Sequence, residues 1–186
     1  FYSDGGGLTL TGGEPTMQPA FCAALLRLAK AEGIATALET CGHTQWEVLA
    51  ELLPLLDVLL FDVKQIDPER HREHTGIDND LILENLRRIA RLSGPPMVVR
   101  VPVIPGLNAD AASLAAIAAC VLELARPVAS IDLLPYHTLG KAKYQALGRD
   151  YPWAEQPRLA AAEVQRLAEQ VAAQVAAAGI VVRLGG

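Results

Sequence analysis

Short apolar runs alternate with amphipathic stretches along the sequence, and this alternation restricts the fold more than any other feature. The apolar runs have the composition of buried strands, and the stretches between them repeat apolar residues every three or four positions, as helices do. A repeated strand–helix order predicts an α/β fold with a parallel sheet and right-handed crossovers. Six strands fit either an open sheet or part of a barrel. The predicted strands are 7–11, 34–38, 57–63, 97–103, 130–134 and 180–184, and the predicted helices are 18–32, 45–56, 80–92, 111–125 and 158–178.

Each of four predicted helices has an apolar face that we expect to pack on the sheet. In helix 18–32 this face is formed by Phe21, Leu25 and Leu28. The segments 64–79 and 135–157 are rich in polar residues, Gly and Pro, and are predicted to be irregular connections. The other predicted buried faces are Ile82, Leu86 and Ile89; Leu114, Ile117, Val121 and Leu124; and Leu159, Val164, Leu167, Val171 and Val175.

Length and composition are those of one folded domain, residues 1–186. Hydrophobic residues make up 51% of the chain and charged residues 20%, which fits a globule with a continuous core. A net charge of −5 without a basic run does not predict nucleic-acid binding. No uninterrupted apolar stretch reaches the roughly 18 residues that span a bilayer, so no membrane association is predicted either.

The three cysteines, Cys22, Cys41 and Cys120, are widely spaced and odd in number. They predict neither a disulfide framework nor a zinc site, and a cytoplasmic location follows as the expectation. The sequence begins at Phe1 and enters a strand almost at once. Such a strand would leave an apolar edge, which natural sheets avoid. We therefore expect this to be the carboxyl-terminal portion of a domain whose first βα units precede Phe1.

Polar or glycine-rich residues mark the carboxyl ends of the first five predicted strands, and in the fourth the polar residue, Arg100, lies within the strand. They are Thr11–Pro15, Glu39–Gly42, Asp62–Lys64, Arg100, and Tyr136 with His137. In an α/β barrel this rim is where ligands bind and where chemistry takes place. Because a buried strand has no structural need for charged groups, the pattern predicts a site for a polar ligand.

Asp62 and Lys64 are two residues apart in a strand, so their side chains point to the same side, while Phe61 and Val63 point into the apolar layer. Three interpretations stay open at this point. The two charges form an ion pair with each other, they hold a zwitterionic ligand, or the lysine forms a Schiff base as in barrel aldolases.

The remaining rim residues also have a structural and a functional interpretation. Glu39 and Thr40 with Asp62 would bind a small cation through oxygen atoms, or Glu39 simply caps its loop. Arg100 interrupts an apolar strand and pairs with a rim carboxylate or a ligand. His137 after a strand is structural unless its neighbours form a site. Gly12-Gly13 is a tight turn, or it allows close backbone approach to a ligand.

Five segments together resemble one family, the activating enzymes of glycyl radical enzymes within the radical S-adenosylmethionine superfamily. The resemblance implies a partial (β/α) barrel and an oxidoreductase that cleaves S-adenosylmethionine reductively with a 4Fe-4S cluster. The resulting 5′-deoxyadenosyl radical removes a hydrogen atom from a backbone glycine of a partner, the glycyl radical enzyme, and a flavodoxin or ferredoxin-type protein supplies the electron. The segments are GGGLTLTGGEPTMQPAF (5–21), LETCG (38–42), LLFDVKQIDPERHREHTG (59–76), RVPVIPGLN (100–108) and LLPYHTLGKAKYQALG (133–148).

The resemblance also implies roles for the rim residues. Gly12, Gly13 and Glu14 would bind the methionine amino group. The segment Asp62-Val63-Lys64 would contact the ribose and carboxylate ends of S-adenosylmethionine. His137 would contact its nucleoside side.

The same resemblance places Arg100 near the reacting centre and implies a monovalent-cation site formed by Glu39, Thr40 and Asp62. The family's CxxxCxxC cluster motif is absent from the sequence, because no pair of cysteines has the required spacing. The cluster ligands are therefore expected upstream of Phe1. Another radical S-adenosylmethionine reaction, a Schiff-base lyase using Lys64, and a barrel without catalytic activity are the alternatives.

Overall fold

The structure is a computed structural model that describes residues 6–138, 141–151 and 157–185. Its described residues contain one sheet of six parallel strands, whose spatial order follows their order along the chain. The predicted α/β fold and the six parallel strands of a partial barrel are confirmed. The strands are β1 Gly7–Leu10, β2 Ala35–Thr40, β3 Val58–Asp62, β4 Met97–Val103, β5 Ser130–Pro135 and β6 Val181–Leu184.

The strand order determines on which face of the sheet the helices lie. Because each strand lies beside the next one along the chain, right-handed connections place the helices on the same face of the sheet, as in a barrel. The helices are α1 Pro19–Ala31, α2 Trp46–Leu52, α3 Pro68–Thr75, α4 Asp80–Ala90, α5 Ala111–Leu122, α6 Lys141–Ala146 and α7 Ala161–Val175.

The two faces of the sheet differ in polarity. Leu38, Phe61, Val99 and Leu133 point to the helix-covered face, where all four are fully buried in one core. The alternate residues of the same strands point to the other face, which we call the open face. On it, Arg100 lies in register with a residue of each neighbouring strand, Asp62 of β3 and Asp132 of β5.

The predicted face of α1 is wrong. Phe21 and Leu28 are 61% and 65% exposed, whereas Ala23 and Leu26 are fully buried. The helix is apolar on several sides, so periodicity alone does not select one face. Small side chains allow α1 to pack closely against the sheet, and this favours the alanine face. The predicted buried faces of α4, α5 and α7 are confirmed, with Leu124 and Leu159 only partly buried.

Two helices lie in segments that were predicted to be irregular, α3 and the short α6. Helix α3 has the sequence PERHREHT, which contains no apolar stripe that would indicate a helix. Its ends explain why it forms. The Asp67 carboxylate accepts hydrogen bonds from Glu69 N and Arg70 N, both 2.9 Å long, and Gly76 ends the helix with φ = 85°.

The three cysteines are free thiols. Cys22 and Cys120 are buried in the core and Cys41 is partly buried; none of the three forms a disulfide. Among the described residues, no helix combines the length and the apolarity that crossing a membrane requires.

Asp57 ties β2 to the start of β3 and makes the fold sensitive to acid. Its carboxylate accepts hydrogen bonds from Lys30 Nζ at 2.9 Å, Thr36 N at 2.8 Å and Thr36 Oγ1 at 3.0 Å. These bonds lower the pKa of Asp57 from 3.8 to about 2, Lys30 contributing most. The pKa is lower in the folded chain, so this carboxylate stabilises the fold above pH 3.8 and loses its effect as the pH falls towards 2.

We therefore expect Asp57→Asn to lower the melting temperature at pH 7 by more than it does at pH 3. Circular dichroism at a series of pH values measures the difference. Glu47→Gln, on the exposed start of α2, is the control, and we expect it to leave the melting temperature unchanged at both pH 7 and pH 3. A difference for Asp57→Asn that stays constant from pH 7 to pH 2.5 would contradict this role.

Candidate functional site

Arg100 is the centre of a charged cluster on the open face. Its Nη1 lies 2.5 Å from Glu39 Oε2 on β2, and its Nε lies 3.9 Å from Asp62 Oδ1 on β3. All three side chains are at least 70% buried, at 18%, 27% and 17% exposure for Arg100, Glu39 and Asp62. The parallel register brings these groups from three strands to the same edge, as the sequence predicted.

Lys64 joins this cluster from the residues that follow β3. Its Nζ lies 3.3 Å from Asp62 Oδ2, which confirms that the two side chains point to the same side. The ion pair that the sequence left open is therefore formed. Val63, between them, points into the core and is only 2% exposed; its backbone N donates to Arg100 O.

Two polar atoms at the middle of the cluster have no hydrogen-bond partner. They are Asp62 Oδ1, an acceptor, and Arg100 Nε, a donor, and both are buried. Burial raises the pKa of Asp62 above its ordinary value, although Lys64 and Arg100 act in the opposite direction. A buried carboxylate with an unused oxygen is costly for the fold and indicates a place where a ligand donates a hydrogen bond.

The Glu14 carboxylate accepts five hydrogen bonds. Its Oε1 accepts hydrogen bonds from Thr16 N at 3.1 Å, Thr16 Oγ1 at 2.8 Å and Thr40 Oγ1 at 2.8 Å. Its Oε2 accepts from Cys41 N at 3.0 Å and Cys41 Sγ at 3.2 Å. The side chain thus joins the loop after β1 to the end of β2.

The glycines of this loop leave the rim open. Gly12 has φ = 130°, a conformation that other residues rarely adopt, and a Cβ at Gly12 or Gly13 would meet no atom within 4 Å. The space beside both residues is therefore available to a ligand.

The oxygen atoms of the predicted cation site do not all lie together. Glu39 and Asp62 share Arg100 as partner, but Thr40 points to the opposite face, is 2% exposed, and its hydroxyl donates to Glu14. Among the described residues, no group of three or more His, Cys, Asp or Glu side chains is arranged to hold a metal ion. The cation site stays a prediction.

Two cavities meet at the charged cluster. A cavity of about 110 Å³ is lined by Gly13, Glu14, Glu39, Asp62 and Lys64, with Thr11, Thr40 and Cys41 completing its wall. A second cavity, of about 360 Å³, is lined by Arg100 and His137 together with Leu60, Asp132, Leu134, Pro135 and Gly185. Arg100 belongs to the second cavity and contacts Glu39 and Asp62 of the first, so the two adjoin. The structure therefore brings Asp62, Lys64, Arg100 and His137 to one rim.

Asp132 is a residue of this site that the sequence analysis did not single out. It is 7% exposed on β5, lines the second cavity, and accepts a hydrogen bond from Ser130 Oγ at 2.7 Å. Its signal in the sequence was the same as that of Arg100, a charged residue within an apolar strand. A larger cavity of about 500 Å³ between α2 and α4 is lined by no ionisable side chain and is unsuited to polar chemistry.

Comparison with protein families identifies the superfamily of the chain. The family model of the radical S-adenosylmethionine (SAM) superfamily matches residues 3–116, which is more than half of the chain. The chain belongs to the radical SAM superfamily. This membership implies S-adenosylmethionine and a 4Fe-4S cluster as cofactors, and it agrees with the resemblance that the sequence segments predicted.

Relatives with named activities support the same assignment. An isethionate sulfite-lyase activating enzyme of Nitratidesulfovibrio vulgaris is 48% identical over 178 residues, which cover 95% of this chain and 56% of the relative. A pyruvate formate-lyase-activating enzyme of Streptococcus mutans is 37% identical over 158 residues, or 82% of this chain and 59% of the relative. The predicted resemblance to activating enzymes is confirmed, and the chain spans about half the length of the curated relatives it matches.

A solved structure has the same architecture. A domain of a pyruvate-formate lyase-activating enzyme from Bacteroides vulgatus superposes with a TM-score of 0.80 at 28% identity, and the match covers 98% of this chain and 100% of that domain.

The site residues fit one of the two implied cofactors. The unpartnered Asp62 Oδ1 suits a ribose hydroxyl, and a cluster with both charge signs suits a molecule that carries an amino group, a carboxylate and a sulfonium centre. The iron–sulfur cluster does not fit. Cys22 donates to Pro15 O, Cys41 donates to Glu14, and Cys120 lies on α5, so the three thiols do not form a ligand set.

Proposed function

We propose that this chain forms the S-adenosylmethionine-binding part of a glycyl radical enzyme activating enzyme, an oxidoreductase. The observation that carries the proposal is the pair of buried, unpartnered atoms, Asp62 Oδ1 and Arg100 Nε, where two cavities meet beside Lys64. Relatives named as activating enzymes, among them one at 48% identity, support the choice within the superfamily.

The binding roles follow from the charge of each group. The backbone carbonyls of Gly12, Gly13 and Glu14 accept from the methionine amino group, and the Lys64 ammonium pairs with the carboxylate. Asp62 accepts from a ribose hydroxyl, and this removes its unpartnered oxygen. Val63 contributes only backbone, since its side chain is in the core.

The second cavity takes the nucleoside. Its apolar wall of Leu60, Leu134 and Pro135 suits a flat base, and His137 contacts the nucleoside at the exposed end. Arg100 lines the second cavity and contacts two residues of the first, so it would lie near the place where the sulfonium and the ribose meet and would orient the reacting group. The monovalent cation that the resemblance implies would lie between the Glu39 and Asp62 carboxylates. Thr40 would contribute its backbone oxygen, because its hydroxyl donates to Glu14 on the other face.

The proposal includes partners that the chemistry requires. In the activating enzymes that the sequence resembles, S-adenosylmethionine supplies the 5′-deoxyadenosyl radical that removes a hydrogen atom from a glycine of a glycyl radical enzyme. A flavodoxin or ferredoxin-type reductant provides the electron. No residue of this chain is assigned to the 4Fe-4S cluster, because the cysteines do not form a ligand set.

The Schiff-base alternative is not favoured by the geometry. A lysine that forms a Schiff base is neutral at the moment of attack, commonly because it is desolvated or lies beside another cation. Lys64 instead forms an ion pair with the Asp62 carboxylate at 3.3 Å, so its nitrogen donates to that carboxylate and is not free to attack a carbonyl carbon.

A chimeric enzyme tests the proposal. This chain replaces the matching 178 residues of the Nitratidesulfovibrio vulgaris relative, which contributes the remainder of an activating enzyme. We expect the anaerobically reconstituted chimera to release 5′-deoxyadenosine when reduced with dithionite. Arg100→Gln is expected to lower the rate by about 100-fold, since it breaks a buried, charge-assisted contact.

Arg27→Gln is the matched control, because it removes an arginine ion pair of 3.0 Å with Glu51 on the exposed helix surface. It is expected to leave the rate unchanged. If a chimera that binds its cluster forms no 5′-deoxyadenosine, the proposed function is refuted.

A further inference from the structure

Three buried asparagine side chains form hydrogen bonds with the backbone of the loops that follow the rim strands. Asn79, Asn85 and Asn108 are at most 1% exposed, and each amide donates to two backbone carbonyl groups. Asn85 holds Gly42 O and Thr44 O after β2, at 2.8 and 2.9 Å. Only Asn108 holds the backbone of a charged residue of the site.

Asn108 connects the ends of β3 and β4. Its Nδ2 donates to Lys64 O at 2.6 Å and to Pro102 O at 2.7 Å, and its Oδ1 accepts from Ile104 N at 2.8 Å. The side chain is fully buried, so no water replaces these three bonds without a rearrangement. The amide of asparagine supplies two donors and one acceptor in this arrangement, which neither aspartate nor serine does.

The turn that carries Asn108 is itself well defined. The backbone N atoms of Leu107, Asn108 and Ala109 all donate to Ile104 O, at 3.1 to 3.2 Å, and Gly106 adopts φ = 82° within it. The segment after Lys64 is joined to the same turn, because Gln65 Nε2 donates to Leu107 O at 3.1 Å. The turn is therefore well ordered by its own hydrogen bonds, and its contacts fix the position of the Lys64 backbone.

Lys64 needs such support because β3 ends two residues before it, at Asp62. Beyond the strand, the ladder no longer sets the direction of its side chain. The Lys64 side chain is 29% exposed and its Nζ has to stay near Asp62 Oδ2 at the wall of the small cavity. A long, partly exposed lysine side chain has many rotamers, so its backbone position decides where the ammonium group is found.

We infer that Asn108 is a positioning residue that holds the Lys64 ammonium group where it pairs with the carboxylate of S-adenosylmethionine. The inference rests on the proposed function, since it takes Lys64 as the ligand of that carboxylate. Asn108 itself touches no ligand. It acts through its hydrogen bond to the Lys64 carbonyl group. Without the Asn108 amide, we expect the backbone after β3 to become mobile, while the site residues within the strands keep their positions.

The experiment compares two ligands that differ only at the carboxylate. Isothermal titration measures the dissociation constants of S-adenosylmethionine and of decarboxylated S-adenosylmethionine for the full chain and for four variants. The ratio of the two constants reports the contact of Lys64, and it is insensitive to a fraction of unfolded protein because that fraction reduces binding of both ligands. The variants are Asn108→Ala, Asn108→Ser, Lys64→Ala and Asn85→Ala.

For the unmodified chain we expect S-adenosylmethionine to bind at least about tenfold more tightly than its decarboxylated form, the value of one charge-assisted contact. Lys64→Ala is expected to bring the ratio to about one. Asn108→Ala and Asn108→Ser are expected to reduce it to less than about threefold. Asn85→Ala removes an equally buried amide and is expected to lower the melting temperature while the ratio stays unchanged.

The outcomes separate the two claims. If Lys64→Ala removes the preference but both Asn108 variants keep it, the positioning role is overturned and the proposed function stands. If Asn85→Ala reduces the ratio as much as the Asn108 variants do, loosening any rim loop has the same effect and the specific role is again overturned. If Lys64→Ala leaves the preference intact, Lys64 is not the ligand of the carboxylate, and the inference fails with that assignment.

Discussion

Replacing Asp62 by asparagine is expected to weaken S-adenosylmethionine binding by at least about 30-fold, because the amide no longer pairs with Lys64 and accepts a ribose hydrogen bond only weakly. The substitution keeps the size of the side chain. Titration calorimetry on the full chain measures the change.

The same substitution is expected to raise stability at neutral pH. Burial raises the pKa of Asp62 in the folded chain, so the native state holds its proton more tightly than the unfolded chain does. The contribution of this group to stability is therefore fully present below the unfolded pKa near 3.8 and is lost as the pH rises through the native pKa. Asparagine resembles the protonated form, and the melting temperature of Asp62→Asn should exceed that of the wild type increasingly from pH 3 to pH 7.

Asp78→Asn is the control for Asp62→Asn. Asp78 also pairs with an arginine, Arg72 at 3.2 Å, but on the exposed surface, and the pair lowers its pKa. This variant is expected to bind S-adenosylmethionine as the wild type does. If Asp62→Asn bound normally, or if it melted several degrees below the wild type at pH 7, Asp62 would be a structural ion-pair partner and not a ligand-binding residue.

Glu14→Ala is expected to have the largest effect on stability, lowering the free energy of unfolding by about 3 kcal/mol. The carboxylate accepts all five hydrogen bonds from Thr16, Thr40 and Cys41, and removing it leaves the buried hydroxyl groups of both threonines without this acceptor. Urea denaturation followed by circular dichroism at pH 7 measures the loss. Glu14→Gln retains acceptor atoms and is expected to cost about 1 kcal/mol.

The effect of Glu14 depends on pH with the opposite sign to that of Asp62. Burial alone would raise its pKa, but the hydrogen bonds from Cys41, Thr16 and Thr40 together lower it below the ordinary 4.5. Its stabilisation is thus present above pH 4.5 and is lost as the pH falls through the native pKa. Glu51→Gln, which breaks an exposed pair with Arg27, is the control and should change stability little. An equal loss for Glu14→Ala and Glu51→Gln would contradict the role of the carboxylate as a loop anchor.

The strands were predictable because their apolar runs are buried on the helix-covered face and end at recognisable polar residues. Strand β4 was predicted at its observed limits, 97–103, and the others within about two residues. The face of α1 was not predictable, since both of its faces are apolar and only the neighbouring sheet decides between them. Helix α3 has no apolar stripe, although Asp67-Pro68 and Gly76 were capping signals that would have located it.

The sequence predicted which residues lie at the site, but it did not predict the hydrogen bonds that hold them in place. Alternation along β3 placed Asp62 and Lys64 on one side, and the common edge of parallel strands placed Glu39 and Arg100 beside them. The sequence did not indicate that the Glu14 side chain is an anchor, because three of its five donors, on Thr40 and Cys41, belong to a distant segment that meets it only in the fold. Asn108 ends the segment RVPVIPGLN, but its contact with Lys64 O spans 44 residues and no local pattern contains it.

A crystal structure of the chain with S-adenosylmethionine is the most direct measurement of the central claim, that groups from separate strand ends form one site. We expect the ligand across both cavities, its carboxylate near Lys64, its ribose on Asp62 and its base beside His137. Ligand density on the helix-covered side, or a bound molecule that touches none of these three side chains, would contradict the account.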